Sequence, residues 1–109
     1  WTLAVVEANL GGRLLRHLKD AQDTFAGGEL LPEPPNPEAL PQLVQTIRKK
    51  YHADVGLGIT LEPGDKQQAI HLYVQTPGEE QTIERTYGAP PQLAPLWATN
   101  LSLNHLRKL

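Results

Sequence analysis

The chain has no cysteine, no methionine and, at Ser102, a single serine among its 109 residues. The absence of cysteine excludes disulfides, thiolate catalysis and Cys-ligated zinc, and leaves the redox compartment open. With one serine as well, most routes to a covalent acyl-enzyme are closed. No apolar run approaches the roughly 20 residues of a membrane-spanning helix. A surplus of positive charge is also missing: ten Lys+Arg stand against twelve Asp+Glu, a formal net charge of −2. Electrostatics therefore gives no reason to expect a nucleic-acid or membrane partner, since phosphate binding needs a basic excess. Lacking methionine and opening on Trp1, the sequence is expected to be a domain cut from a longer chain. What remains is 39% apolar and 20% charged, ordinary for a soluble globular chain and of a length suited to one domain over 1–109. A cytoplasmic protein is the default expectation for such a cysteine-free, signal-free sequence.

Thr2 to Glu7 is a β-branched, apolar run of the kind found in a buried central strand. Gly11-Gly12 then gives way to Leu14, Leu15 and Leu18 at helical spacing, with basic residues toward the C-terminal end. Asp23 to Leu31 predicts a second, glycine-weakened strand, and Pro32, Pro34, Pro35 and Pro37 an extended connector. Asn36-Pro37-Glu38 is a helix start, with Asn as N-cap and Pro at the first helical position. Leu40, Leu43, Val44, Ile47 and Tyr51 carry that helix onward to His52. Asp54 to Leu61 alternates large and small residues, which predicts a strand with one buried face. Turn chemistry over Glu62 to Asp65 leads to a strand over Ala69–Thr76, a Pro77-Gly78 turn and an antiparallel partner over Thr82–Tyr87. Leu93, Leu96, Trp97 and Leu101, extended by Leu103, Leu106 and Leu109, predict a closing helix with Trp97 in its packed face. The order β-α-β-α-β-β-β-α indicates an α/β domain with a mixed sheet of about five strands and three helices, in two or three layers.

Glu7-Ala8-Asn9-Leu10-Gly11-Gly12, following a TLAVV strand, resembles the AES-x-TGG signature of the CinA C-terminal domain, the competence/damage-inducible protein family. Phe25-Ala26-Gly27-Gly28-Glu29 is similar to that family's F-x-GG-V strand, and Ala53 to Thr60 to its AD-x-GLA-x-TG strand. The helix from Asn36 to His52 lies where the family has its SEEVA helix, and the closing hairpin and helix correspond too. The resemblance covers nearly the whole chain and implies the family's α/β fold. Active members are nicotinamide mononucleotide deamidases whose nucleophile is the serine after the signature glutamate. That position here is Ala8, the signature threonine is Leu10, and the family's tyrosine and lysine have no equivalent because Leu30 to Pro35 replaces their segment. The TGIAGP loop is reduced to Thr60 through Gly64, and the basic residue of the late GDR motif falls near Pro90. The resemblance thus implies a shortened, degenerate member without serine catalysis: a structural, oligomerising or ligand-binding module, with a molybdopterin-binding-like domain upstream in the same chain. A residual amidohydrolase of the pyridine nucleotide cycle, with Glu7 activating water, is the alternative.

Several residues carry two readings. Gly11-Gly12 suits a phosphate cradle at a helix start, but more simply a tight turn. Glu7 is a relic ribose- or base-contacting acid, or a solvated or helix-capping one. Thr60 is a substitute nucleophile only with a base at hand, and none stands at a readable spacing. Thr60 and Gly64, with Glu7, Gly11 and Gly12, form the candidate ligand-binding set. His17, His52, His71 and His105 share no metal-ligand spacing, so neither metal nor cofactor is expected. Ser102 is expected on a helix surface, Arg48-Lys49-Lys50 as a solvated helix end, and Trp1 toward a preceding domain.

Overall fold

The computed structural model describes residues 1–20, 24–62, 64, 66–88 and 91–108. Its elements are β1 (Leu3–Ala8), α1 (Arg13–Leu18), β2 (Phe25–Leu31), α2 (Leu40–Tyr51), β3 (Val55–Glu62), β4 (Gln68–Thr76), β5 (Glu79–Tyr87) and α3 (Ala94–Arg107). Single 3-10 turns, Pro37–Ala39 and Pro91–Leu93, lead into α2 and α3. The parts of the expected elements that fall on Asp23, Pro63, Asp65, Pro90 and Leu109 lie outside the described residues. The sheet order is β2-β1-β3-β4-β5, with β1 parallel to both neighbours and the remaining pairs antiparallel. A radius of gyration of 12.9 Å matches the roughly 13 Å of a single domain this long.

Strand alternation sorts the core into two halves. Leu3 and Val5 join Val55, Leu57 and Ile59, and with Leu14, Leu18, Ala94 and Ala98 form one cluster on the α1 and α3 side. Ala4 and Val6 turn to the opposite side and pack with Ile47 of α2. The molecule is therefore built of three layers, α1 and α3, the sheet, and α2.

β3 corrects the expectation of one buried face, because every residue from Val55 to Leu61 is buried. The small residues between the large ones are a seat for α2. A Cβ added at Gly56 would lie 2.4 Å from Val44 Cγ1, and one at Gly58 2.7 Å from Val44 Cγ2. The helix start predicted at Asn36 is present as the cap of the 3-10 turn, where Asn36 Oδ1 accepts from the Glu38 N–H at 3.0 Å. α2 buries Leu40, Val44 and Ile47, one stripe at helical spacing, and ends at left-handed His52 (φ 53°). Its basic end is only partly solvated: Lys49 and Lys50 are exposed, whereas Arg48 is half-buried and donates to Gln75 Oε1 at 2.7 Å.

β5 starts at Glu79, earlier than expected, because the Pro77-Gly78 turn is tight and Thr76 already pairs with Glu79. On α3 the expected leucine stripe divides: Leu101, Leu103 and Leu106 are half-buried against the core, but the first half of the stripe is not the buried face. Ala94, Ala98, Thr99 and Ser102 are buried, while Leu93, Leu96 and Trp97 are 41%, 39% and 44% exposed. Two expectations are thereby corrected: Trp97 is not core, and Ser102 is not surface. Small side chains let the helix lie close to the sheet, and the Ser102 hydroxyl is satisfied internally by donating to Ala98 O at 2.9 Å.

Candidate functional site at the ends of β1 and β3

β1 and β3 end side by side, with Ala8 paired to Thr60. The chain leaves β1 through three left-handed residues, Asn9 (φ 65°), Gly11 (φ 67°) and Gly12 (φ 78°), which turn it sharply into α1. Asn9 tolerates this conformation better than most residues and spans to the neighbouring strand, its Nδ2 donating to Leu61 O at 2.9 Å. Leu10 is buried and anchors the loop to the core. At Gly12 the requirement is the positive φ, since an added Cβ would meet nothing closer than Leu30 Cδ1 at 3.6 Å.

Glu7 is fully buried, and its Oε1 accepts from the Leu15 N–H at 2.9 Å. Leu15 is the third residue of α1, whose N–H has no partner within the helix. Gly12, at the cap position, offers no side chain, so the preceding strand supplies the acceptor instead. The second oxygen, Oε2, is buried without a hydrogen-bond partner among the described residues.

The sheet separates this carboxylate from Ala8 and Thr60. Alternation sends Glu7 to the α1 side, while Ala8 and Thr60 point to the α2 side. Ala8 is 0% and Thr60 1% exposed, and the Thr60 hydroxyl has no hydrogen-bond partner among the described residues. Thr60 pairs in turn with His71, and His71 with Glu84, so one cross-strand row runs Ala8, Thr60, His71, Glu84. His71 Nε2 lies 3.1 Å from Glu62 Oε2, and Nδ1 lies 3.8 Å from Glu84 Oε2. The imidazole is thus directed to carboxylates and not to the threonine hydroxyl. Gly64 is exposed in the β3–β4 connection, where its carbonyl accepts from Gln68 Nε2 at 3.5 Å.

All the sequence-predicted residues, Glu7, Ala8, Gly11, Gly12, Thr60 and Gly64, therefore sit at one end of the sheet, but they do not converge on one reacting point. Asn9 and His71 join them. A polar residue at the strand-to-helix turn signals the first. The second becomes visible only with the β3–β4 register. Among the described residues, no group of three or more His, Asp or Glu side chains is placed to hold a metal ion.

No protein-family model and no curated protein matches the sequence. Solved structures do match the fold. The CinA superfamily protein of Enterobacter cloacae superposes with a TM-score of 0.77 at 18% identity, over 96% of this chain and 79% of that one. The competence/damage-inducible protein CihA of Agrobacterium tumefaciens gives 0.82 at 13% identity, over 98% and 84%. The competence damage-inducible protein A of Klebsiella pneumoniae gives 0.75 at 15% identity, over 99% and 85%. The chain has the fold of a CinA-like domain.

Proposed function

We propose that this chain is a CinA-type domain that has lost the amidase nucleophile. It would act as a structural, oligomerising or ligand-binding module of a competence/damage-inducible-like protein, with a molybdopterin-binding-like neighbour upstream. The carrying observation is Ala8. It occupies the position of the signature serine, and its methyl group has no lone pair with which to attack an amide carbon. Two features of the surroundings support the reading. Thr60, the nearest hydroxyl in the register, is buried and has no hydrogen bond to His71. Glu7, the neighbouring acid, is engaged with the Leu15 N–H on the other face of the sheet from Ala8.

One observation favours a second reading, in which Glu7 activates water for amide hydrolysis: Oε2 has lone pairs without a partner among the described residues. Its complete burial counts against access by substrate. Incubation with nicotinamide mononucleotide, read as ammonia release, separates the two. The module reading expects no protein-dependent release. The Glu7 reading expects release that Glu7→Gln abolishes.

A further inference from the structure

At the opposite end of the sheet, where β1 and β3 begin, α1 and the second half of α3 enclose a cavity of about 1020 Å³. Strand rise puts its Leu3 wall roughly 17 Å from Ala8. The volume is at the upper end of the roughly 300–1,000 Å³ of ligand pockets, as suits a cavity open on one side. Leu3, Leu18, Val55 and Leu103 give it apolar walls, and Trp1 stands in the lining while 67% exposed.

The polar lining carries one fixed cation, Arg107, beside neutral amides and hydroxyls and the His17 imidazole. His17 and Arg107 come from the last turns of α1 and α3, and Asn100 and Asn104 from one side of α3. No Asp or Glu lines the cavity among its described residues. The nearby Asp54 carboxylate is committed, accepting from the Thr2 N–H at 3.0 Å. One donor of the Arg107 fork is used on Asn104 Oδ1, which sets the guanidinium in place beside the cavity. Just outside the lining, His105 is held below its ordinary pKa by burial first, and then by Lys108 and Arg85, so this end of α3 is crowded with cations.

We propose that this cavity binds a small planar aromatic molecule carrying one anionic group. Its ring lies against Trp1 and the leucines, its anion is taken by Arg107 with His17, and the Asn100 and Asn104 amides orient ring substituents. The assignment does not depend on the reading of Ala8, because the two sites lie at opposite ends of the strands and binding here requires no chemistry.

The test is an amide-resolved NMR titration of the full chain with 2-naphthoate and, separately, with neutral 2-naphthalenemethanol. Saturable shifts confined to Thr2, Leu3, His17, Leu18, Thr24, Val55 and Asn100 to Arg107 are expected, with the carboxylate binding at least about tenfold tighter than the alcohol, as one charge-assisted hydrogen bond provides. Arg107 is exposed, so Arg107→Gln should keep the folded spectrum and the alcohol affinity while removing the carboxylate's advantage. Equal affinity for the two probes, an advantage that survives Arg107→Gln, shifts centred on Ala8 to Gly12, or no saturable shift would each overturn the proposal.

Discussion

If Glu7 is a helix cap supplied by the preceding strand, its substitutions should rank in a definite order. The carboxylate is fully buried and holds the Leu15 N–H at 2.9 Å. Glu7→Ala removes a charge-assisted hydrogen bond worth about 1.5–3 kcal/mol and leaves the Leu15 donor unpaired in the core. It also opens a small cavity, which adds to the loss. Against this stands the partnerless Oε2, whose removal recovers part of a desolvation penalty of about 1–3 kcal/mol. The balance is a net loss of about 2 kcal/mol. At roughly 4 °C per kcal/mol for a chain near 100 residues, Tm should fall by about 8 °C. Glu7→Gln keeps an acceptor at Oε1 and takes the charge out of the core, so its stability should stay within about 1 kcal/mol of the parent. Urea unfolding and a thermal melt of the three proteins, read by far-ultraviolet circular dichroism, provide the comparison. A Glu7→Ala protein as stable as the parent, or a Gln variant as damaged as the Ala variant, would refute the capping argument.

Three further outcomes follow from the packing. Gly58→Ala drives a Cβ to within 2.7 Å of Val44 Cγ2 and should cost about 1–3 kcal/mol in urea unfolding, the range of overpacked cores. Ser102→Ala loses only a bond within its own helix and should change stability by less than about 1 kcal/mol, whereas Ser102→Leu should destabilise by about 1–3 kcal/mol. The Tyr73 phenol, buried against Leu40 and Val44 and donating to Glu80 Oε2 at 2.5 Å, has its pKa pushed up to about 12, by burial first and the hydrogen bond second. A folded-state value above the unfolded one near 10 means that this stability is intact below about pH 10 and is lost as pH rises toward 12. Denaturant midpoints across that window should fall less steeply in Tyr73→Phe than in the parent.

The order of elements was legible because each carries its own period. Val5 and Val6 beside the Gly11-Gly12 turn mark β1 and its exit, and Asn36-Pro37 marks the approach to α2. What escaped sequence reading depends on how closely two elements approach. Leu93, Leu96 and Trp97 outweigh Ala94, Ala98 and Ser102 on any scale of side-chain apolarity, yet the small residues face the sheet because they permit a short interlayer distance. Gly56 and Gly58 misled in the same way, reading as an open strand face when they are where α2 sits. At the candidate site, Ala8 and the turn after it were readable from local pattern. The row from Ala8 through Thr60 to His71 was not, since it is created by the pairing of β3 with both neighbours. Helix capping was one of the roles the sequence allowed for Glu7, and the carboxylate does accept from the Leu15 N–H.

If Ala8 leaves the end of β1 without a usable nucleophile, the protein should add nothing to the breakdown of nicotinamide mononucleotide. The most direct test is the rate of ammonia release from nicotinamide mononucleotide as a function of protein concentration. A slope of zero above the protein-free background is expected, and a rate rising in proportion to protein would contradict the loss of the nucleophile.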